Sequence, residues 1–96
     1  MKHFFSAEAL NDLQRLHDFI AQENLAAASH VARELLGGIG GLRRFPRMGK
    51  KVAIAPGQQA PDEMRDWFTG NYIVRYLILD TRLIILRIWH GKEDRG

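Results

Sequence analysis

The sequence predicts an α+β domain: a short N-terminal strand, an antiparallel two-helix hairpin, then a three-stranded antiparallel sheet. Three observations lead there. Apolar residues recur at helical spacing from Leu10 to Leu42. From Met64 to His90 the chain is dense in β-branched, aromatic and aliphatic residues, broken only at Gly70-Asn71 and Asp80-Thr81. Ninety-six residues suffice for one domain with a modest core, so residues 1–96 form a single unit.

His3 to Phe5 reads as a short edge strand. Ser6 is placed to cap the helix that follows, its hydroxyl accepting a free backbone N–H of the first turn, and Glu8 suits the positive end of the helix dipole. Leu10, Leu13, Leu16, His17 and Ile20 form one stripe and Asn11, Asp12, Gln14, Arg15 and Asp18 the other, giving a helix from about Ala7 to about Gln22. A link near Asn24 leads to a second helix striped by Ala28, Val31, Leu35, Ile39 and Leu42, and so short a link makes a hairpin. Leu10, Leu13, Leu16, Val31 and Leu35 are the expected core. Gly37, Gly38, Gly40 and Gly41 interrupt the stripe, each weakening a helix by about 1 kcal/mol relative to alanine. The expected outcome is a helix to Leu42, soft or kinked after Leu36, with a break at Gly37 as the alternative and Pro46 as the stop. Lys51 to Glu63 holds two prolines and a glycine and reads mostly as loop. Met64 to Thr69 is then a strand, and Tyr72 to His90 a hairpin.

Composition narrows the function. Hydrophobic residues make up 46% and charged residues 26%, ordinary for a globular protein. Without cysteine there is neither a disulfide framework nor a thiolate metal site. His3, His17, His30 and His90 have no metal-ligand spacing, so no metal and no cofactor are expected. The absence of a signal-like or membrane-spanning run makes a cytoplasmic protein the expectation. Residues 1–36 carry three basic and five acidic side chains (−2), and residues 37–96 eleven and six (+5). Arg43, Arg44, Arg47, Lys50 and Lys51 cluster with no acid among them, which suits an acidic partner or phosphate backbone as well as a solvated loop.

Period-two alternation about Asp80-Thr81 pairs Leu79 with Arg82 and divides the hairpin. One face holds Tyr72, Val74, Tyr76, Ile78, Leu83, Ile85, Arg87 and Trp89. The other holds Ile73, Arg75, Leu77, Leu79, Arg82, Ile84, Leu86, Ile88 and His90. Both are largely apolar, whereas one helical hairpin covers one face, so the second face is a partner surface. A one-residue slip exchanges the sets. In this register Arg65 lies across from Tyr76 and Arg87 across from Val74; beneath helices, both are expected to pair with carboxylates such as Asp12 or Asp18 or to stack on aromatic rings.

Several motifs occur in a telling order: Ser6-Ala7-Glu8-Ala9-Leu10 with Asp12-Leu13, then Ala26-Ala27-Ala28, then Leu42…Phe45-Pro46…Gly49. Arg65 opens a strand, Tyr72-x-x-x-Tyr76 follows, and Ile84-x-Leu86-x-Ile88-x-His90-Gly91 closes the series. Over nearly the whole chain this resembles the RelE/ParE family of bacterial toxins, the toxic halves of type II toxin–antitoxin pairs. The resemblance implies neutralisation by a cognate antitoxin whose C-terminal segment wraps onto the sheet and helices, with DNA contacted only through the antitoxin. It further implies one of two activities: cleavage of messenger RNA in the ribosome, or poisoning of DNA gyrase.

RNA cleavage by 2′-hydroxyl attack needs a base, cations on the phosphorane and an acid. His90, Arg75 and Arg65 are the candidates. The resembling nucleases place an arginine just after the first tyrosine of Y-x-x-x-Y and many place a tyrosine near the C-terminus; Ile73 and Gly91 stand there here. The expectation is therefore a ParE-like inhibitor of gyrase rather than a ribosome-dependent endonuclease. Its antitoxin-binding residues would be Ile73, Arg75, Leu77, Leu86, Ile88 and His90, and Arg43, Arg44, Arg47, Lys50 and Lys51 would face the target.

Overall fold

The Ser6 hydroxyl accepts the Ala9 N–H at 3.0 Å and opens helix α1 (Ala7–Ala21), and the Asn24 side chain caps α2 (Leu25–Leu42) in the same way through Ala27. In this computed structural model, which describes residues 1–52 and 63–93, five strands accompany the helices: β1 (Lys2–Phe5), β2 (Lys50–Lys51), β3 (Glu63–Thr69), β4 (Tyr72–Leu79) and β5 (Arg82–His90). Most of the stretch expected as loop after Lys51 lies outside the described residues.

The sheet has five strands in the order β1-β5-β4-β3-β2, where three were expected. The three-stranded meander is present, joined at Gly70, whose φ of 55° suits glycine, and at Asp80, whose φ of 41° aspartate tolerates. The two additions are its edges. β2 pairs with β3, and β1 lies parallel to β5, Phe5 opposite Ile85.

Helix α2 runs unbroken through its glycines to Leu42, as expected, and the alternative break at Gly37 does not occur. The reason is packing. Ile39 and Leu42 are fully buried, and a Cβ on Gly38 would sit 2.0 Å from Cη2 of Trp67, so the bare backbone admits the indole. The core gathers Leu16, Leu35, Ile39 and Leu42 over Val74, Tyr76, Ile78, Leu83, Ile85 and Ile88, with Leu13 and Val31 packed against it. Leu10, expected in the core, is 55% exposed: α1 buries Ala9, Asp12 and Leu16, an arc that leaves Leu10 outside.

The faces of β5 are not the expected ones throughout. Pairing runs regularly from Leu79–Arg82 to Tyr76–Ile85, then resumes at Arg75–Arg87, leaving Leu86 as an extra residue. Such a bulge moves every later side chain of the strand to the opposite face. It occurs where β1 leaves the edge of β5: the Ser6 N–H donates to the Ile85 carbonyl at 2.9 Å and its hydroxyl to that of Leu86 at 2.8 Å. Ile88 and His90, expected on the open face, therefore stand opposite Val74 and Tyr72 on the helix side, and Ile88 is wholly buried. Arg87 and Trp89, expected beneath the helices, stand opposite Arg75 and Ile73 on the open face.

Candidate functional site

The uncovered face is built in rows that cross the strands. Met64, Leu77, Ile84 and Phe4 form one apolar row over β3, β4, β5 and β1. Asp66, Arg75 and Arg87 form the next, and Phe68, Ile73 and Trp89 the third. Phe4 and Phe68 are about half exposed, while Met64, Leu77 and Ile84 are half-buried. Ile73, expected as a contact residue, is buried between its aromatic row neighbours; Arg75 and Leu77 are accessible, and Leu86 is half-buried at the bulge.

The arginines of this face are held rather than free. Arg75 makes a bidentate pair with Asp66 at 2.8 and 3.0 Å, and that bond raises its pKa. Arg87 reaches the edge of β5 to make a second pair, with Asp12 of α1, at 2.8 and 3.1 Å. Both guanidiniums lie over the Trp89 indole, 5.1 Å from its centre, and so roof a ring that its strand position would otherwise expose. Asp12 also accepts the Ile88 N–H at 2.8 Å, satisfying β5 where β1 no longer covers it. Burial pushes the Asp12 carboxyl up, but the bonds from Arg87, the Ile88 amide and Arg15 outweigh it and hold the group below the ordinary aspartate value.

Arg65 stands opposite Tyr76 as expected, yet its partners are neither helix carboxylates nor aromatic rings. Its Nη1 donates to the carbonyls of Gly49, at 2.7 Å, and Arg47, at 3.3 Å, and its Nε meets Glu63 at 3.4 Å. His90 lies at the far end of β5, edge-on to Tyr72 at 5.2 Å. Its Nδ1 accepts the Lys92 N–H at 3.1 Å, so the neutral ring carries its proton on Nε2 and offers a donor, not a base, to a groove of about 600 Å³ beside Phe19 and Tyr72. Glu93 closes one wall, held by the His90 N–H and Arg15. Burial, with the Glu93 charge adding to it, pushes the Tyr72 hydroxyl up, so this phenol stays protonated at neutral pH.

The three candidates for RNA cleavage are thus in three places: Arg75 on the open face, Arg65 at the β2 edge beneath the α2–β2 loop, and His90 behind the sheet. The structure does not bring them together. Arg43, Arg44, Arg47, Lys50 and Lys51 are all exposed, but Arg43 turns toward β1, its Nε donating to Met1 O at 2.8 Å, whereas Lys50 and Lys51 lie in β2 at the opposite edge of the sheet. Sequence reasoning missed Asp66 as the partner of Arg75, although the Gly70-Asn71 turn sets them opposite one another. It also missed Glu93, which no local pattern marks. Among the described residues no cluster of His, Asp or Glu could hold a metal ion, and no helix is long and apolar enough to cross a membrane.

A strand, a helical hairpin and a sheet open on one face form an architecture that this chain shares with solved toxin–antitoxin systems. The chain belongs to the family described as the ParE toxin of type II toxin–antitoxin systems, parDE, whose profile matches residues 4–95. It is 27% identical over 90 residues to toxin RelE1 of Caulobacter vibrioides, covering 94% of this chain and 92% of that protein. A structure of the toxin–antitoxin complex RelBE2 of Mycobacterium tuberculosis matches at a TM-score of 0.57 and 30% identity, covering 93% of this chain and 95% of that one. The chromosomal ParDE system of P. aeruginosa shares the fold at a TM-score of 0.71 and 15% identity, covering 96% and 97%.

Proposed function

We propose that this toxin acts by binding DNA gyrase, in the ParE manner, and is neutralised by a cognate antitoxin segment seated on the open sheet face. The observation that carries the reading is the dispersal of the cleavage candidates. Arg75 is neutralised by Asp66, Arg65 is committed to loop carbonyls, and His90 offers only an N–H. A phosphorane needs cations, base and acid around one phosphate, and these three residues enclose none. The apolar row of Met64, Leu77, Ile84 and Phe4 offers the antitoxin a contact surface of the kind a soluble protein does not leave bare without use.

A supercoiling assay with purified toxin and gyrase tests the target, and the expected result is inhibition with a trapped DNA break. Unchanged supercoiling and no trapped complex at high toxin concentration would refute it. The similarity to RelE1 and to the RelBE2 complex supports a second reading, ribosome-dependent cleavage of message. Primer extension on ribosome-bound message separates the two. Cuts in the decoding site that disappear in His90→Ala would replace the gyrase reading with the nuclease one.

A further inference from the structure

Between α2 and β2 the chain makes a rigid tip whose rigidity the core does not need. The Met48 N–H donates to the Phe45 carbonyl at 3.1 Å, closing a turn with Pro46 at its second position. That closure sets Phe45 and Met48 side by side, 62% and 50% exposed. Beneath them the tip is clamped. The Tyr76 hydroxyl, on a side chain with no exposure, donates to Pro46 O at 2.6 Å and accepts the Gly49 N–H at 3.0 Å. Arg65 holds Gly49 O and Arg47 O, and Gly49 approaches so closely that a Cβ there would meet the Tyr76 hydroxyl at 2.7 Å. A buried tyrosine and an arginine are thus spent on holding two apolar side chains out in water.

Cations surround this tip. Arg44 lies 6.0 Å from the Phe45 ring centre, Arg47 is exposed beside a single acid, Glu63, and Lys50, opposite an Asp66 already paired with Arg75, and Lys51, opposite Arg65, are exposed with no ion pair among the described residues. An acidic protein surface would match the charge but would leave Phe45 and Met48 unexplained. Single-stranded RNA is gripped by several aromatic platforms, whereas here one ring stands beside a methionine. An apolar pair projecting from a ring of Lys and Arg has the form of a wedge that enters a base step of duplex DNA while the cations hold the flanking phosphates.

We infer that the Phe45–Lys51 tip is a direct binding site for duplex DNA. This departs from contact through the antitoxin alone and goes beyond the gyrase reading, since it concerns the toxin with DNA and no enzyme. A toxin that fails to inhibit gyrase can still bind duplex, and one that inhibits gyrase can fail to.

The test is fluorescence anisotropy of the full chain with a labelled short duplex carrying a central TA step, repeated across a salt series. Neutralising about four phosphates predicts roughly a hundredfold weakening between about 50 and 200 mM salt. Lys50→Ala with Lys51→Ala is expected to lower the slope of log K against log salt by about two. Phe45→Ala is expected to keep the slope, weaken binding severalfold and abolish the fluorescence change of a 2-aminopurine placed at the step. All three residues are exposed, and circular dichroism verifies that the variants fold. The inference is overturned if no duplex binding appears at low salt, if the lysine variant binds like the parent, or if an RNA hairpin or heparin binds as tightly with Phe45→Ala without effect.

Discussion

Asp12 accepts four hydrogen bonds, and replacing it with alanine tests how the helical layer is fastened to the sheet. Its Oδ2 accepts from Arg87 Nε and the Ile88 N–H, both at 2.8 Å, and its Oδ1 from Arg87 Nη2 at 3.1 Å and Arg15 Nη2 at 3.2 Å. The carboxylate is 3% exposed, whereas the Arg87 side chain is 42% exposed and can rehydrate. The lost ion pair therefore counts at the low end, about 1 kcal/mol. The Ile88 N–H, on a fully buried residue, is left without a partner, at a further cost of about 1–3 kcal/mol. The expected total, about 2–4 kcal/mol, lowers the urea midpoint by roughly 1.3 to 2.7 M at a slope of about 1.5 kcal/mol/M. Asp12→Asn keeps an acceptor for Ile88 and should lose less. The pH dependence has a fixed sign. A carboxyl held below its ordinary value in the fold stabilises fully above about pH 4, and that stability drains as the pH falls through the depressed value. The parent should therefore soften in acid more steeply than Asp12→Ala. A loss under about 1 kcal/mol, together with an unchanged acid limb, would refute the reasoning by showing that water replaces the carboxylate at the edge of β5.

Three further outcomes follow from particular contacts. Gly38→Ala should destabilise by about 1–3 kcal/mol because Trp67 must shift, while Gly37→Ala, Gly40→Ala and Gly41→Ala, with open space around them, should each stabilise by up to about 1 kcal/mol in the same urea titration. Tyr76→Phe removes the hydroxyl that spans Pro46 and Gly49; a loss of about 1–3 kcal/mol is expected, with faster trypsin cleavage at Arg47 under native conditions. Leu77→Glu should leave a cooperative thermal transition and weaken antitoxin binding at least tenfold by calorimetry; failure to fold would mean that the open face is structural.

What could be read from the sequence was what short-range chemistry controls. The cap at Ser6, the link at Asn24, the stop near Leu42 and the pairing of Leu79 with Arg82 all stand where turn and cap residues put them. Long-range pairing left no such mark. The parallel seat of β1 beside β5 depends on residues from opposite ends of the chain. The need for a bare backbone at Gly38 comes from Trp67, which no window around Gly38 contains. Leu10 shows the limit of periodicity: its spacing matches the stripe, but the buried arc of α1 is rotated toward Ala9 and Asp12, because the ion pair of Asp12 buries a residue of the polar side. Of the expected antitoxin set, Arg75 and Leu77 lie on the accessible open face, whereas Ile88 and His90 do not, because neither glycine nor proline signals the bulge.

That bulge is where fold and function meet. In an unbroken register His90 would share a face with Arg75, and the pair would look like a histidine and a cation flanking one phosphate. The extra residue at Leu86 turns the end of β5 over, sends His90 behind the sheet toward Tyr72, and brings Arg87 and Trp89 forward beside Arg75. Each arginine then has a carboxylate on one side and the indole on the other, which leaves the middle of the open face nearly neutral. A neutral, rigid, partly apolar face is suited to a peptide and poorly suited to a polyanion. The net positive charge of the chain is displaced instead to the α2–β2 tip, where Lys50, although opposite Asp66 on β3, and Lys51, opposite Arg65, make no ion pair among the described residues. On the two proposals above, the open face takes protein and the α2–β2 tip takes DNA, while the cleavage candidates of the sequence stay apart in three places.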